Sequence, residues 1–183
     1  MATLALLLHE SAARKIRDCW DLLETELGVC GVRKIPFPHV TLLGCEGIEH
    51  PKIQGILEEF CDRTAPLELR SIGLGIFLRP SPVIYAPIIR SPALSEVHQS
   101  LWNAVGGLGG SRFGLYAPDQ WIPHLTLAQF DLDAENQLQA LRLLADQELE
   151  MAFEVRNLTL FDWIGPRYEP RERYQLRGHR VGG

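Results

Sequence analysis

Residues 38–42 read PHVTL, and residues 123–127 repeat the pattern as PHLTL. An aromatic residue lies just upstream of each copy, Phe37 in the first and Trp121 in the second. Aliphatic and β-branched residues favour strands, and proline is tolerated at the first position of a strand because its missing N–H is not needed there. Each pentapeptide is therefore predicted to open a β-strand.

Side-chain alternation along a strand divides each pentapeptide into two faces. His39 and Thr41 share one face of the first strand, and His124 and Thr126 share one face of the second, while the intervening aliphatic residues point to the core. Two such strands facing each other would form a symmetric site with two imidazoles and two hydroxyl groups.

Such a site suits the cleavage of a phosphodiester. Histidine titrates near neutral pH, so one neutral and one protonated imidazole can coexist, one to accept a proton and one to donate it. Threonine hydroxyls can donate to the non-bridging phosphate oxygens. We therefore predict His39 and His124 as catalytic residues and Thr41 and Thr126 as substrate-binding residues. The alternative is two ordinary strands with partly buried histidines.

The duplicated pattern resembles the signature of the two-histidine (2H) phosphoesterases, which include 2′,3′-cyclic phosphodiesterases and the so-called 2′-5′ RNA ligases. That signature is a pair of H-x-[T/S]-x motifs, matched here by residues 39–42 and 124–127. Residues 82–87, which read PVIYAP, and the predicted helix after them resemble the mid-chain strand and helix of the family. Ala128 and Gln129 stand where RNA ligase-like members often carry an arginine.

The order of predicted elements contains a second repetition. Strands are predicted at 2–8, 38–42, 67–78, 83–89, 123–127, 151–163 and 172–177, and helices at 11–27, 51–62, from Ser91-Pro92 to Gly106-Gly107, and after Asp133. A βαβαβ unit is thus used twice, as the resemblance also implies. The expected fold is α+β and bilobal: one domain of residues 1–183, with pseudo-repeats of about 1–80 and 81–183. A pseudo-twofold axis would relate the halves, with a central cleft between two sheets. The alternative is two unrelated α/β segments.

Composition limits the partners and the location. The net charge of −5 argues against neutralising the phosphates of a long duplex, so a small nucleotide or an RNA terminus is the expected partner. No stretch is long enough to span a membrane, and the apolar residues 4–8 are not preceded by a basic residue as in a signal peptide. The four cysteines have no metal-binding spacing. We expect a cytoplasmic monomer that needs no metal and no other cofactor.

Other residues are candidates for substrate contacts. Phe37, Tyr85 and Trp121 are candidates for stacking on a base, the alternative being that they belong to the core. Arg79, Arg90 and Arg112 are candidates for attracting phosphate, the alternative being solvated surface charges.

The predicted function is metal-independent hydrolysis of a 2′,3′-cyclic phosphate on RNA or a nucleotide. One imidazole would activate water and the other would protonate the departing ribose oxygen; the sequence does not assign which does which. One alternative is hydrolysis or ligation of 2′-5′ linkages in RNA. Another is a nucleotide-binding module without turnover.

Overall fold

The computed structural model describes residues 1–164 and 167–179. Its strands are β1 (Ala2–Leu7), β2 (His39–Glu46), β3 (Leu67–Ser71), β4 (Gly75–Phe77), β5 (Val83–Pro87), β6 (Ser111–Arg112), β7 (His124–Gln129), β8 (Met151–Val155), β9 (Asn157–Ile164) and β10 (Arg167–Gln175). Its helices are α1 (Glu10–Leu27), α2 (His50–Arg63), α3 (Pro92–Gly106) and α4 (Asn136–Ala145). The described part of the chain contains no helix with the length and apolar character that crossing a bilayer requires.

The strands form one large and one small antiparallel sheet. The large sheet has the order β10-β9-β1-β2-β7-β5-β4, with the short β6 attached to β2, and β3 pairs with β8 in the small sheet. The two motif strands, β2 and β7, are thus neighbours at the centre. They are paired directly at Val40–Leu125. The architecture is α+β, as predicted. The motif strands lie side by side in one sheet, however, and not in two sheets that face each other across a cleft.

The apolar side of the motif strands is buried as expected. Val40, Leu42, Leu125 and Leu127 are all fully buried. Helix α1 packs one stripe of side chains into the same core, and it contacts β7 and α4. A helix from the first half of the chain therefore supports the motif strand of the second half.

Two helix starts follow the sequence signals. The Ser91 hydroxyl accepts a hydrogen bond from the backbone N–H of Leu94, and Pro92 occupies the first helical position of α3. Before α4, a carboxylate oxygen of Asp133 accepts from the backbone N–H of Glu135 and Asn136, both at 2.8 Å.

Two predicted strands are each divided in the structure. The predicted strand 67–78 becomes β3 and β4, because the chain turns near Gly73, whose φ of 52° lies in the left-handed region. The predicted strand 151–163 is interrupted at Arg156, because β8 pairs with β3 in the small sheet while β9 pairs with β1 in the large sheet.

Smaller differences lie toward the C-terminus. The last predicted strand, 172–177, overlaps β10, which begins at Arg167 and ends at Gln175. The helix predicted after Asp133 carries Leu138, Leu141 and Leu144. In the structure α4 begins at Asn136 and buries Leu144 together with Ala140, whereas Leu138 is 58% exposed.

Two successive parts of the chain have the same order of elements. Both β1-α1-β2-α2-β3 and β5-α3-β7-α4-β8 follow the βαβαβ pattern, with β4 between the two series and β6 between α3 and β7. The central strands of the two series pair with each other, as do their last strands. This order agrees with the predicted pseudo-repeats, and the duplication itself stays a prediction.

Candidate active site

The polar faces of β2 and β7 lie on the same side of the large sheet. Val40 pairs with Leu125 in antiparallel register, and residues opposite each other in such a pair share a face. Each histidine therefore lies opposite the threonine of the other motif. The two cross-strand pairs are His39–Thr126 and Thr41–His124. All four side chains are half-buried, in contrast to the fully buried Val40 and Leu125.

The two histidines are diagonal neighbours in this register. Diagonal neighbours on adjacent strands have Cα atoms on the order of 7–8 Å apart, with Cβ atoms somewhat closer. That separation leaves room for one phosphate group between the two rings. The expectation that His39 and His124 face one site is therefore consistent with the register of the strands.

Each imidazole is oriented by the same backbone contact. Nδ1 of His39 lies 2.6 Å from the carbonyl oxygen of Phe37, and Nδ1 of His124 lies 2.7 Å from that of Ile122. Because a carbonyl oxygen can only accept, Nδ1 carries the proton in both rings. Nε2 is then the atom of each ring that can exchange a proton with a substrate.

The environment favours the neutral form of both imidazoles. Burial lowers the pKa of His39, its bond to the Phe37 carbonyl partly opposes this effect, and the charge of His124 lowers the pKa further. Burial also lowers the pKa of His124, and its bond to the Ile122 carbonyl opposes that effect.

Aromatic rings pack against His124. Tyr85 lies opposite Thr126 in the β5–β7 pair, and its ring centroid is 5.0 Å from that of His124. Phe77 stacks on Tyr85 at 4.2 Å and presents its ring to His124 at 5.3 Å. Tyr85 is 9% exposed and lies against the ring of His124, and its contact with a base stays a prediction.

His39 has a similar but sparser aromatic neighbourhood. The ring of the buried Phe161 lies 5.9 Å from the His39 ring and 6.2 Å from that of Phe37. Phe37 is half-buried beside the site, and its role in substrate binding stays a prediction.

Tyr116 is a site neighbour that the sequence analysis missed. Burial raises the pKa of Tyr116 to about 12, against the effect of a hydrogen bond with the Thr41 side chain. The ring lies over Gly44, where an added Cβ would stand 3.0 Å from Tyr116 and 2.6 Å from Phe113. Glycine at position 44 therefore allows these rings to approach β2 closely.

Trp121 does not have the role predicted for it. Its side chain is 3% exposed, and its ring lies parallel to that of His98 at 3.8 Å. Its indole N–H donates to the carbonyl oxygen of Thr41 at 2.9 Å. The prediction that Trp121 stacks on a base is wrong, because the ring is enclosed in the core beneath the motif strand.

Two of the three candidate arginines bind backbone carbonyls. Arg90 donates to the carbonyl oxygens of Pro118 at 2.5 Å and Trp121 at 3.4 Å. Arg112 donates to the carbonyl of Trp102 and lies 4.1 Å from the ring of that residue. The structure therefore gives both guanidinium groups a structural role in place of the predicted phosphate contact. Arg79 is exposed, and its role stays a prediction.

A groove lies beside the histidines but is not lined by them. Its volume is about 1060 Å³, and Phe37 and Pro38 form its border with the site. Its remaining walls come from the start of α1, from β8 and from β10. Within residues 1–164 and 167–179, no three His, Cys, Asp or Glu side chains are grouped so that they could hold a metal ion.

Comparison with known proteins identifies a family over most of the chain. A family model described as the 2′-5′ RNA ligase superfamily matches residues 8–167, which include both motifs. Non-structural protein 2a of Murine coronavirus (strain JHM) is 27% identical over 113 residues. That match covers 60% of this chain but only 39% of the viral protein, so the chain corresponds to about two-fifths of that relative.

Solved structures share the fold. The protein TT0787 of Thermus thermophilus has a TM-score of 0.70 and 18% identity, with 98% of this chain and 99% of that chain covered. LigT of E. coli, in a crystal structure with 3′-AMP, has a TM-score of 0.63 and 18% identity, with 96% and 97% covered. At these identities the likeness establishes the architecture, and it confirms the predicted fold class.

Proposed function

Because this chain belongs to the 2′-5′ RNA ligase superfamily, we propose that it is a metal-independent phosphodiesterase that opens 2′,3′-cyclic phosphates on RNA ends or nucleotides. The observation that carries the proposal is the matched pair of imidazoles. Each has Nδ1 bonded to a backbone carbonyl, and each lies on the common polar face of two adjacent strands. This arrangement supplies two equivalent Nε2 atoms for one substrate.

The mechanism needs one neutral and one protonated imidazole. The neutral Nε2 accepts a proton from water as the water oxygen bonds to phosphorus. The P–O bond to one ribose oxygen breaks, and the protonated Nε2 of the other ring donates its proton to that oxygen. The product is a phosphate monoester beside a free ribose hydroxyl. The Thr41 and Thr126 hydroxyls donate to the non-bridging oxygens, where negative charge accumulates.

The surroundings of the two rings favour a division of roles. The rings of Phe77 and Tyr85 lie 5.3 and 5.0 Å from His124, and π-electrons this close favour a cation. His39 is farther from its aromatic neighbour Phe161, at 5.9 Å. The charge of His124 in turn lowers the pKa of His39. We therefore assign His39 as the base and His124 as the acid in cyclic phosphate hydrolysis.

The substrate class follows from size and charge. The net charge of −5 argues against holding a long duplex, and Arg90 and Arg112 are engaged by backbone carbonyls. A nucleotide or an RNA end presents one phosphate to the histidines and needs fewer cations. The structural relative LigT was crystallised with 3′-AMP, a ligand of that size, which supports this choice.

Two alternatives use the same site. Cleavage or formation of 2′-5′ linkages in RNA needs the same two proton transfers, with a ribose hydroxyl as nucleophile or leaving group. A binding module without turnover would not need both histidines and both threonines, and all four are present here. The expected cytoplasmic location and monomeric state remain predictions.

A substrate panel tests the proposal. It contains 2′,3′-cyclic mononucleotides, an RNA oligonucleotide with a 2′,3′-cyclic end, ADP-ribose 1″,2″-cyclic phosphate and 2′-5′ dinucleotides, with products identified by phosphorus NMR. We expect the 2′,3′-cyclic substrates to be converted to monoesters in the presence of EDTA. Conversion of the 2′-5′ dinucleotides alone would support the first alternative. Binding of the panel without any product would support the binding module.

A further inference from the structure

Two buried tryptophans connect each half of the chain to the motif of the other half. Trp20 of α1 donates its indole N–H to the carbonyl oxygen of Thr126 at 3.1 Å. Trp121, in the turn before β7, donates to the carbonyl oxygen of Thr41 at 2.9 Å. Both side chains are at most 3% exposed. The two bonds are therefore reciprocal, and both end on a threonine of the candidate site.

These bonds lie where the two motif strands have little direct pairing. The backbones of β2 and β7 are paired at Val40–Leu125, one residue before each threonine. Beyond this pair, the carbonyl groups of Thr41 and Thr126 accept from the indoles. Trp121 therefore fixes β2 to the segment just before β7, and Trp20 fixes β7 to α1, both beside the Val40–Leu125 pair.

Each indole is itself held in place. The Trp121 ring stacks on His98, and Nε2 of His98 lies 3.1 Å from the carbonyl oxygen of Leu42, the residue after Thr41. The guanidinium of Arg90 lies 5.7 Å from the Trp121 ring.

The Trp20 ring has a matching cation. The guanidinium of Arg33 lies 6.0 Å from the ring, and Arg33 is fixed by ion pairs with Asp21 and Glu24. An indole bonded to a threonine carbonyl, with a guanidinium near its ring, thus occurs twice, once from a helix and once from a turn. Its repetition in different local structures indicates a requirement of the site that both halves share.

We propose that Trp20 and Trp121 are positioning residues that set the separation and orientation of His39 and His124. Each histidine lies two residues before its threonine on the same face of the strand, so a shift of the threonine carbonyl moves the imidazole with it. The inference rests on the proposed function, because the spacing matters only if both rings act on one phosphate. A displacement of about 1 Å at such a site can reduce the rate by a factor of about 100.

The test replaces the indole by a ring that lacks the N–H donor. Trp20→Phe and Trp121→Phe are expected to lower kcat for a 2′,3′-cyclic nucleotide by about 10–100-fold, with KM changed less than about threefold. Trp102→Phe is the matched control, because that ring packs against Arg112 instead of a motif carbonyl. It should retain the wild-type kcat.

A second readout does not depend on turnover. If the strands move apart, the charge of His124 acts less on His39, so the pKa of His39 should rise. Histidine titration by NMR should show this rise in both Phe variants and not in Trp102→Phe. If the wild-type protein hydrolyses nothing but the His39 titration shifts as expected, the proposed function fails while the positioning role stands.

Unchanged kcat and unchanged His39 titration in both folded Phe variants would overturn the inference. Should a Phe variant not fold, a tryptophan analogue with sulfur in place of the indole nitrogen can be incorporated at position 20 or 121. This analogue keeps the ring shape and removes only the donor. The kcat and the His39 titration of the analogue-containing protein then test the inference. A lower kcat and a raised pKa of His39 would support it, and no change in either would overturn it.

Discussion

His39 and His124 lie on one face of two adjacent antiparallel strands, diagonally across the Val40–Leu125 pair, and each is bonded through Nδ1 to the carbonyl two residues upstream. The chain direction reverses between the strands, so the two rings approach the space between them from opposite ends. An in-line displacement at phosphorus needs its base and its acid on opposite sides of the phosphate. The two imidazoles are therefore arranged as the proposed mechanism requires, with one on each side of the phosphate.

Removal of either imidazole is expected to abolish one proton transfer. His39→Ala and His124→Ala should each lower kcat by about 10²–10⁴-fold, as is typical for a lost general acid or base. The double variant should be little worse than either single one, because the two groups act as a unit. Assays quenched at fixed times, with a 2′,3′-cyclic nucleotide as substrate, measure kcat for each variant.

The exposed His179 provides the control, since His179→Ala should retain the wild-type kcat. Melting temperatures should change little in all these variants. Strictly additive losses in the double variant would contradict a coupled pair.

The pH dependence should be bell-shaped and displaced to the acid side of ordinary histidine. The base must be neutral, so the rate rises with pH through the pKa of His39; the acid must be protonated, so the rate falls through the pKa of His124. Both pKa values are lowered by burial, so both limbs should lie below about pH 6.5. Profiles of kcat/KM measure the limbs.

The same profiles test the assignment of roles. His39→Ala should lose the rising limb and keep the falling one, and His124→Ala should do the reverse. The opposite pattern would show that His124 is the base and His39 the acid, with the rest of the mechanism unchanged.

The hydroxyl groups are expected to contribute less than the imidazoles. Thr41→Val and Thr126→Val should each lower kcat by about 10–10³-fold, because one hydrogen bond to a phosphate oxygen is lost while the other motif still donates. Thr→Ser at the same positions keeps the hydroxyl and should recover most of the rate. If the Val variants are as active as the Ser variants, the threonine hydroxyls have no role in the mechanism.

His98 makes the fold sensitive to acid. It is 1% exposed, and burial lowers its pKa to about 4. Between about pH 6.5 and that value, the unfolded chain binds a proton that the folded chain excludes, so the free energy of unfolding decreases as the pH falls. The loss over this window is roughly 3 kcal/mol.

Urea denaturation at several pH values measures the loss. His98→Gln keeps a donor for the Leu42 carbonyl but does not titrate, so its stability should depend less steeply on pH in this window. Equal slopes for the two proteins would show that His98 titrates normally.

The local part of the site could be predicted from the sequence. The two-residue period of a strand determines that His39 and Thr41 share a face and that Val40 and Leu42 share the other, and the structure agrees. The direct pairing of the motif strands in one sheet was not predicted, because the expected cleft lay between two sheets.

Contacts made by distant segments could not be predicted in this way. Phe77, Phe161 and Tyr116 reach the histidines or threonines from three other elements, and no local pattern sets them apart from core aromatics. The sequence places Trp121 beside a motif, which suggests a substrate contact, whereas its ring packs on His98 from α3.

The same limit explains the divided strand at 151–163. Its β-forming residues indicate extended backbone throughout, but the break at Arg156 depends on which sheet each piece joins. That choice is made by partners far away in sequence.

Incorporation of solvent oxygen tests the central claim most directly. An RNA oligonucleotide ending in a 2′,3′-cyclic phosphate is incubated in heavy-oxygen water with EDTA, and the mass of the product is measured by mass spectrometry. We predict that the wild-type protein forms a monoester carrying a single heavy oxygen atom. Conversion should be at least about 100-fold slower with folded His39→Ala or His124→Ala. Conversion by either variant at the wild-type rate, or an intact cyclic end after prolonged incubation with the wild-type protein, would contradict it.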